Sequence, residues 1–161
     1  MIDLYLSLGS NMGDREACIY EALDRMGKAF GKPYSSLSEI IETEAWGFDS
    51  DRFLNCAVLY RLPRKRQSAE NQALEILSKI KRIETEMGRN ESLEYDIDGK
   101  RVYHARPIDI DILFFGGHEI DLPDLKIPHP LIKERDFVKI PLSQIAKKAL
   151  KISFGDYFQI N

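Results

Sequence analysis

The chain has 161 residues, 43% of them hydrophobic and 30% charged, which suits one water-soluble domain with a single core. A net charge of −3 lacks the basic excess that bulk nucleic-acid binders carry. No apolar run approaches the ~18 residues of a membrane span, no leader-like segment opens the chain, and Cys18 and Cys56 read as small core residues, so a reducing cytoplasm is expected.

Ile2 to Leu8, dense in Leu and Tyr, reads as a strand that ends at Gly9-Ser10-Asn11. Asn11 to Asp14 offers helix caps, and Cys18, Ile19, Ala22, Leu23 and Met26 follow the helical period across Arg15 to Phe30. A strand, a Gly-Ser-Asn-x-Gly-Asp turn and a helix could cradle a phosphate at the helix N-terminus. The Walker lysine is missing, which favours a plain strand-to-helix turn.

Gly31-Lys32-Pro33 breaks that helix, and Ser36 to Thr43 reads as a second strand. Glu44 to Asp51 looks like a loop that exposes Trp46 and Phe48. Phe53 to Leu62 is a third strand with Asn55 inside it. A lone Asn in an apolar strand costs desolvation unless bonded, so it either caps a neighbouring loop or reads a ligand's edge.

Pro63-Arg64-Lys65-Arg66 reads as a solvated basic turn. Ser68 to Met87 is then a helix with Ala73, Ile76, Leu77, Ile80, Ile83 and Met87 as its apolar stripe. Lys81 falls largely outside that stripe, and Glu84 lies at its edge, either a half-buried acid near a site or a surface charge. Arg89 to Ala105 has no convincing period. A connection of that length in a compact domain is uncommon and often serves as a lid or binding loop.

The lid leads into Arg106-Pro107-Ile108-Asp109-Ile110-Asp111-Ile112, where Ile and Asp alternate with the period of a strand. Asp109 and Asp111 then share one face, roughly 6.5–7 Å apart along the backbone. An Asp-x-Asp strand can simply be the wet face of a sheet. Asp is nonetheless a poor strand former, and two like charges side by side call for something positive, such as a hard divalent cation with oxygen ligands.

Glu119-Ile120 could form a short return strand after Gly116-Gly117, and Pro128-His129-Pro130 presents a histidine rigidly, for structure or for a phosphate. Arg135-Asp136-Phe137 places a cation beside an aromatic ring, and Pro141 to Ala146 is a short helical turn. The order strand–helix–strand–strand–helix–strand fits an α+β, ferredoxin-like βαββαβ sandwich, a mainly antiparallel sheet with helices packed on one face. The other face is left free for Asn55, Asp109 and Asp111.

Together these segments resemble the 6-hydroxymethyl-7,8-dihydropterin pyrophosphokinases over nearly the whole chain. The resemblance rests on Leu8 to Arg15, Phe53-Leu54-Asn55, Ile83-Glu84 with Gly88-Arg89, Arg106 to Ile112, Ile127 to Pro130, and Arg135-Asp136-Phe137. It implies a single domain over 1–161, and transfer of diphosphate from ATP to the pterin hydroxymethyl group in folate synthesis, releasing AMP. It implies two magnesium ions on Asp109 and Asp111, with Arg89 and Arg106 as further catalytic residues. Thr43, Phe53, Asn55 and Phe137 would bind the pterin, with the two Phe rings as a sandwich. Leu77, Glu84, Arg89, Arg106, Ile112 (through its backbone), His129 and Arg135 would bind ATP. The partners implied are these small molecules alone, without nucleic acid or membrane, and a monomer is expected. Tyr103-His104-Ala105-Arg106 stands where the family often has Trp-Gly-Pro-Arg. A nucleotidyl transferase or cyclase and a non-catalytic sensing module are the competing readings.

Overall fold

A computed structural model describes residues 1–43, 52–88, 94–95, 97–99, 101–102 and 107–159. The first strand, β1 (Ile2–Ser10), lies between β4 (Phe53–Leu62) and β7 (Asp109–Phe115), antiparallel to both. Two short strands, β2 (Ser36–Leu37) and β3 (Ile41–Thr43), pair one after the other with the far edge of β4. The stretch 36–43 expected as one strand is therefore two. Ser38 makes the break: its hydroxyl, in place of a strand carbonyl, accepts the Ala57 N–H at 2.8 Å.

Helices α1 (Arg15–Phe30) and α2 (Ala69–Glu86) cover one face of this sheet. Their starts follow from local chemistry. Asp14 accepts the Ala17 N–H at 3.1 Å and Ser68 accepts the Asn71 N–H at 3.1 Å, each cap contributing about 1 kcal/mol. Gly31 ends α1 in the left-handed conformation, φ 79°. Leu4, Leu6 and Leu8 of β1, Cys56, Val58 and Tyr60 of β4, and Ile110 and Ile112 of β7 meet Ile19, Met26, Ile76 and Ile80 from the helices. Cys56 is buried in this core as expected, whereas Cys18 is only half-buried.

The opposite face is not free along its whole length. Helix α3 (Asp136–Ile145), longer than the turn expected from Pro141, and α4 (Lys148–Ser153) close over Tyr5, Ala57, Leu59, Leu113 and Phe114. The tail packs there too, with Phe114 stacked on Phe158 and meeting Phe154 and Tyr157. A register shift opposite Tyr5 and Leu6 lets Leu113 and Phe114 both serve this second core. Only the end of the face around Gly9, Asn55, Asp109 and Asp111 lies beyond that cluster. Away from the main sheet, β5 (Glu94–Tyr95) pairs with β6 (Arg101–Val102), and the return strand after Gly117 is β8 (Ile120–Leu122) with a partner, β9 (Leu125–Ile127).

Candidate active site

Gly9 is the hinge of the site's geometry. On one side it is opposite Asn55 of β4, on the other opposite Asp109 of β7, so the three residues form one row across three strands. At about 4.8 Å per strand, the Asn55 and Asp109 backbones stand roughly 10 Å apart. A Cβ on Gly9 would come within 3.0 Å of Asn55 Oδ1 and 3.3 Å of the Phe53 ring, so the glycine leaves room for both side chains. The Asn55 amide in turn donates to the Thr43 hydroxyl on β3. Thr43, Phe53 and Asn55 are thus brought together.

Asp109 and Asp111 project from the same side of β7, both half-exposed, as their alternation with Ile110 and Ile112 requires. They line a cleft of about 390 Å³ together with Leu77 and Glu84 of α2, His129 and Arg135. Six of the expected residues therefore share one cavity. Ile112 turns its side chain into the core, which leaves only its backbone for a ligand. Phe137 opens α3, the helix that packs against β4, and its ring lies 5.8 Å from the Arg135 guanidinium. Arg89, Arg106, Lys100, Tyr103 and the Trp46 loop lie outside the described residues.

His129 is held at both its backbone and its ring. Its N–H donates to the Leu113 carbonyl at 3.1 Å, and Nδ1 accepts the Leu131 N–H at 3.2 Å. In the neutral ring the proton then sits on Nε2, 3.7 Å from Asp111 Oδ1. Burial lowers its pKa first and the Arg135 charge lowers it further, against an opposing pull from Asp109. His129 thus faces the cleft as a neutral N–H donor, and the positive charge at the cleft comes from Arg135 and Lys81.

Glu84 is almost fully buried, and its carboxylate accepts the Ile110 N–H at 2.9 Å. It holds the outer edge of β7 between the two aspartates. Three lining residues escaped the sequence reading: Lys81, Asp124 and Leu131. Lys81 had a signal, since Leu77, Lys81 and Glu84 at i, i+4 and i+7 follow one side of α2. Asp124, in the turn between β8 and β9, had none. The structure favours the plain strand-to-helix turn at the start of α1. The Asp14 carboxylate already takes the helix N-terminus, where a phosphate would have to sit.

Among the described residues no three His, Cys, Asp or Glu side chains gather into a ready metal cage. Two adjacent carboxylates in an open cleft fit magnesium, which is commonly held by one or two carboxylates plus substrate phosphates. Calcium or zinc would ask for more protein ligands.

Residues 5–147 match the profile of the 7,8-dihydro-6-hydroxymethylpterin-pyrophosphokinases. The chain belongs to this family. It is 41% identical over 148 residues to the 2-amino-4-hydroxy-6-hydroxymethyldihydropteridine pyrophosphokinase of Porphyromonas gingivalis, covering 91% of this chain and 92% of that protein. The Aquifex aeolicus pyrophosphokinase is 35% identical over 146 residues, 90% of this chain and 81% of its own length. The folate synthesis bifunctional protein of Arabidopsis thaliana is 40% identical over 141 residues, which are 87% of this chain but 26% of the plant protein. The resemblance expected from Gly-Ser-Asn, Asp-x-Asp and Arg-Asp-Phe is borne out by family membership. No described helix is long and apolar enough to cross a membrane.

Proposed function

We propose that the chain is a pyrophosphokinase of folate biosynthesis that transfers diphosphate from ATP to the hydroxymethyl group of 6-hydroxymethyl-7,8-dihydropterin. The hydroxymethyl oxygen bonds to the β-phosphorus of ATP. The bond from that phosphorus to the α,β-bridging oxygen breaks, AMP leaves with the bridging oxygen, and the hydroxyl proton is lost. The observation that carries the reading is the row Asn55–Gly9–Asp109, which sets an amide and an aromatic ring beside a pair of carboxylates.

Asp109 and Asp111 would hold two magnesium ions, which would supply neutralisation of the phosphate charge during transfer. His129 donates from Nε2 and Arg135 offers its guanidinium, so two further donors face phosphate oxygens without a proton changing hands. Arg89 and Arg106 would add charge at either end of the segment 89–105, which by the family resemblance would close over ATP and keep water from competing as acceptor. Leu77 gives apolar contact to the adenine. Ile112, next after Ile110 to turn its backbone to the free edge of β7, reads the base through its peptide groups. Glu84 borders the same ATP cleft.

The pterin lies between Phe53 and Phe137, its polar edge met by Asn55 and Thr43. The Asn55–Thr43 bond supports this, because it orients the amide before any ligand arrives. The strand order β2–β4–β1–β7, with α1 and α2 on one face, supports a ferredoxin-like βαββαβ core with α3 and α4 added to the other face. The two cores share one sheet, which supports one domain across 1–161; we read it as acting on small molecules in the cytoplasm as a monomer. The deciding experiment measures AMP formed from ATP and magnesium with and without 6-hydroxymethyl-7,8-dihydropterin. AMP that appears only with the pterin is the expected result. Pyrophosphate in place of AMP would make the enzyme a nucleotidyl transferase.

A further inference from the structure

The aspartate cleft occupies one end of the sheet. Strand β1 runs from it, at Gly9, to a second cavity at the other end, where Asp3 and Tyr5 lie. At about 3.3 Å per residue, Asp3 and Gly9 are roughly 20 Å apart. The second cavity is the larger, about 480 Å³ against about 390 Å³. The chain is acidic overall, yet Arg61, Arg64 and Lys147 line this cavity beside one carboxylate, Asp3, with which Arg61 and Lys147 pair.

How these groups are bonded decides what the cavity can accept. Asp3 is used up as a brace: Oδ1 accepts from Arg61 Nε at 3.2 Å, and Oδ2 pairs with Lys147 Nζ at 2.9 Å. Arg61 thereby spends only Nε, and its two Nη groups have no protein acceptor among the described residues. Arg64 is a fixed charge, its Nη1 tied at 2.9 Å to the Lys65 and Gln67 carbonyls and to Gln72 Oε1. Tyr5 is buried, and its hydroxyl accepts the Lys147 backbone N–H at 3.1 Å. The hydroxyl's own proton finds no acceptor among the described residues. Leu150 and Phe154 supply an apolar wall beside the charges.

We propose that this cavity is a second ligand site, for an organic phosphate. Arg61, Lys147 and the Tyr5 hydroxyl bind its oxygens, and Leu150 and Phe154 carry its apolar body. Three cationic side chains against one carboxylate already paired with two of them favour an anion over a cation. The volume falls in the range of organic ligand sites and is ample for more than a bare phosphate ion. Nothing in the site touches Asp109, Asp111 or the Asn55 row, so its occupant binds without displacing either substrate.

The test is amide NMR of the whole protein titrated with phenyl phosphate, and with inorganic phosphate as control. Saturable shifts are expected at Tyr5, Gly116 and Lys147, with inorganic phosphate binding more weakly for want of the apolar body. Arg61→Gln with Lys147→Gln should weaken phenyl phosphate about tenfold by removing two charge-assisted donors. Pterin-dependent AMP release should stay unchanged. Should the double variant fail to fold, Lys147→Gln alone, at a side chain 43% exposed, should still weaken binding measurably. Shifts confined to the surroundings of Asp109 and His129, or wild-type affinity in the variants, would overturn the proposal.

Discussion

The Glu84 carboxylate accepts the Ile110 N–H at 2.9 Å, so a helix side chain closes the edge of β7 at the residue between Asp109 and Asp111. The position of the aspartate pair therefore depends on α2 as well as on pairing with β1. Glu84→Ala removes a buried acceptor and leaves a strand N–H unpaired, which should cost about 1–3 kcal/mol in urea unfolding and lower pterin-dependent turnover. Glu84→Gln keeps an acceptor oxygen and should recover most of both. Equal losses in the two variants would show that the charge, not the hydrogen bond, is what the strand needs.

Replacing either Asp109 or Asp111 by Ala should abolish AMP release while the fold survives. Each is half-exposed, and removing one of two neighbouring like charges relieves repulsion instead of opening a cavity. We expect turnover to fall by at least about a thousandfold, since magnesium binding and phosphate neutralisation go together. Far-UV circular dichroism should be unchanged. Normal turnover in either variant would remove the aspartate pair from the mechanism.

The two long helices and the strands β1, β4 and β7 could be read from the sequence because local signals agreed there. Apolar spacing met a cap at Asp14 and at Ser68, and Ile alternated with Asp in β7. What stayed hidden was tertiary. Ser38 ends β2 with a side-chain bond that no periodicity announces. The proline at 141 looks like a helix start but sits inside α3, which hid five residues of helix ahead of it and one cover of the second face. The register shift in β7 sends both Leu113 and Phe114 to that face, where strict alternation would have parted them. In the site, residue types were legible and proximity was not. Asp124 reaches the cleft from a turn with no motif of its own, and Lys81 was read as solvent-facing.

Alkali should destabilise the fold through buried acids that cannot ionise in place. Burial pushes the Cys56 thiol up to about 12 from its ordinary 9, and the Tyr60 hydroxyl rises for the same reason. Below pH 9 the unfolded chain keeps these protons as the native chain does, and their contribution is fully present. Between about pH 9 and 12 the unfolded state has released protons that the native state still holds, so stability falls with rising pH. Cys56→Ala should flatten part of that slope in urea midpoints measured from pH 8 to 11. In the native protein at pH 8 a thiol reagent should leave Cys56 unmodified until denaturant exposes it.

Gly9→Ala should separate the two substrates. The added Cβ would meet Asn55 Oδ1 at 3.0 Å and the Phe53 ring at 3.3 Å, and the buried Asn55 has little room to yield. Overpacking of this kind typically costs about 1–3 kcal/mol, which here would appear as displacement of the Asn55 amide from the Thr43 hydroxyl. Pterin affinity should drop by about tenfold or more while ATP affinity, set by the cleft on the other side of β1, changes little. Phe137→Ala should give the same split by removing one of the two rings proposed to sandwich the pterin. Calorimetric titration of each variant with pterin and with ATP measures both numbers. Equal loss of the two affinities would mean that Gly9 and Phe137 shape the whole site, and the division of labour across β1 would not hold.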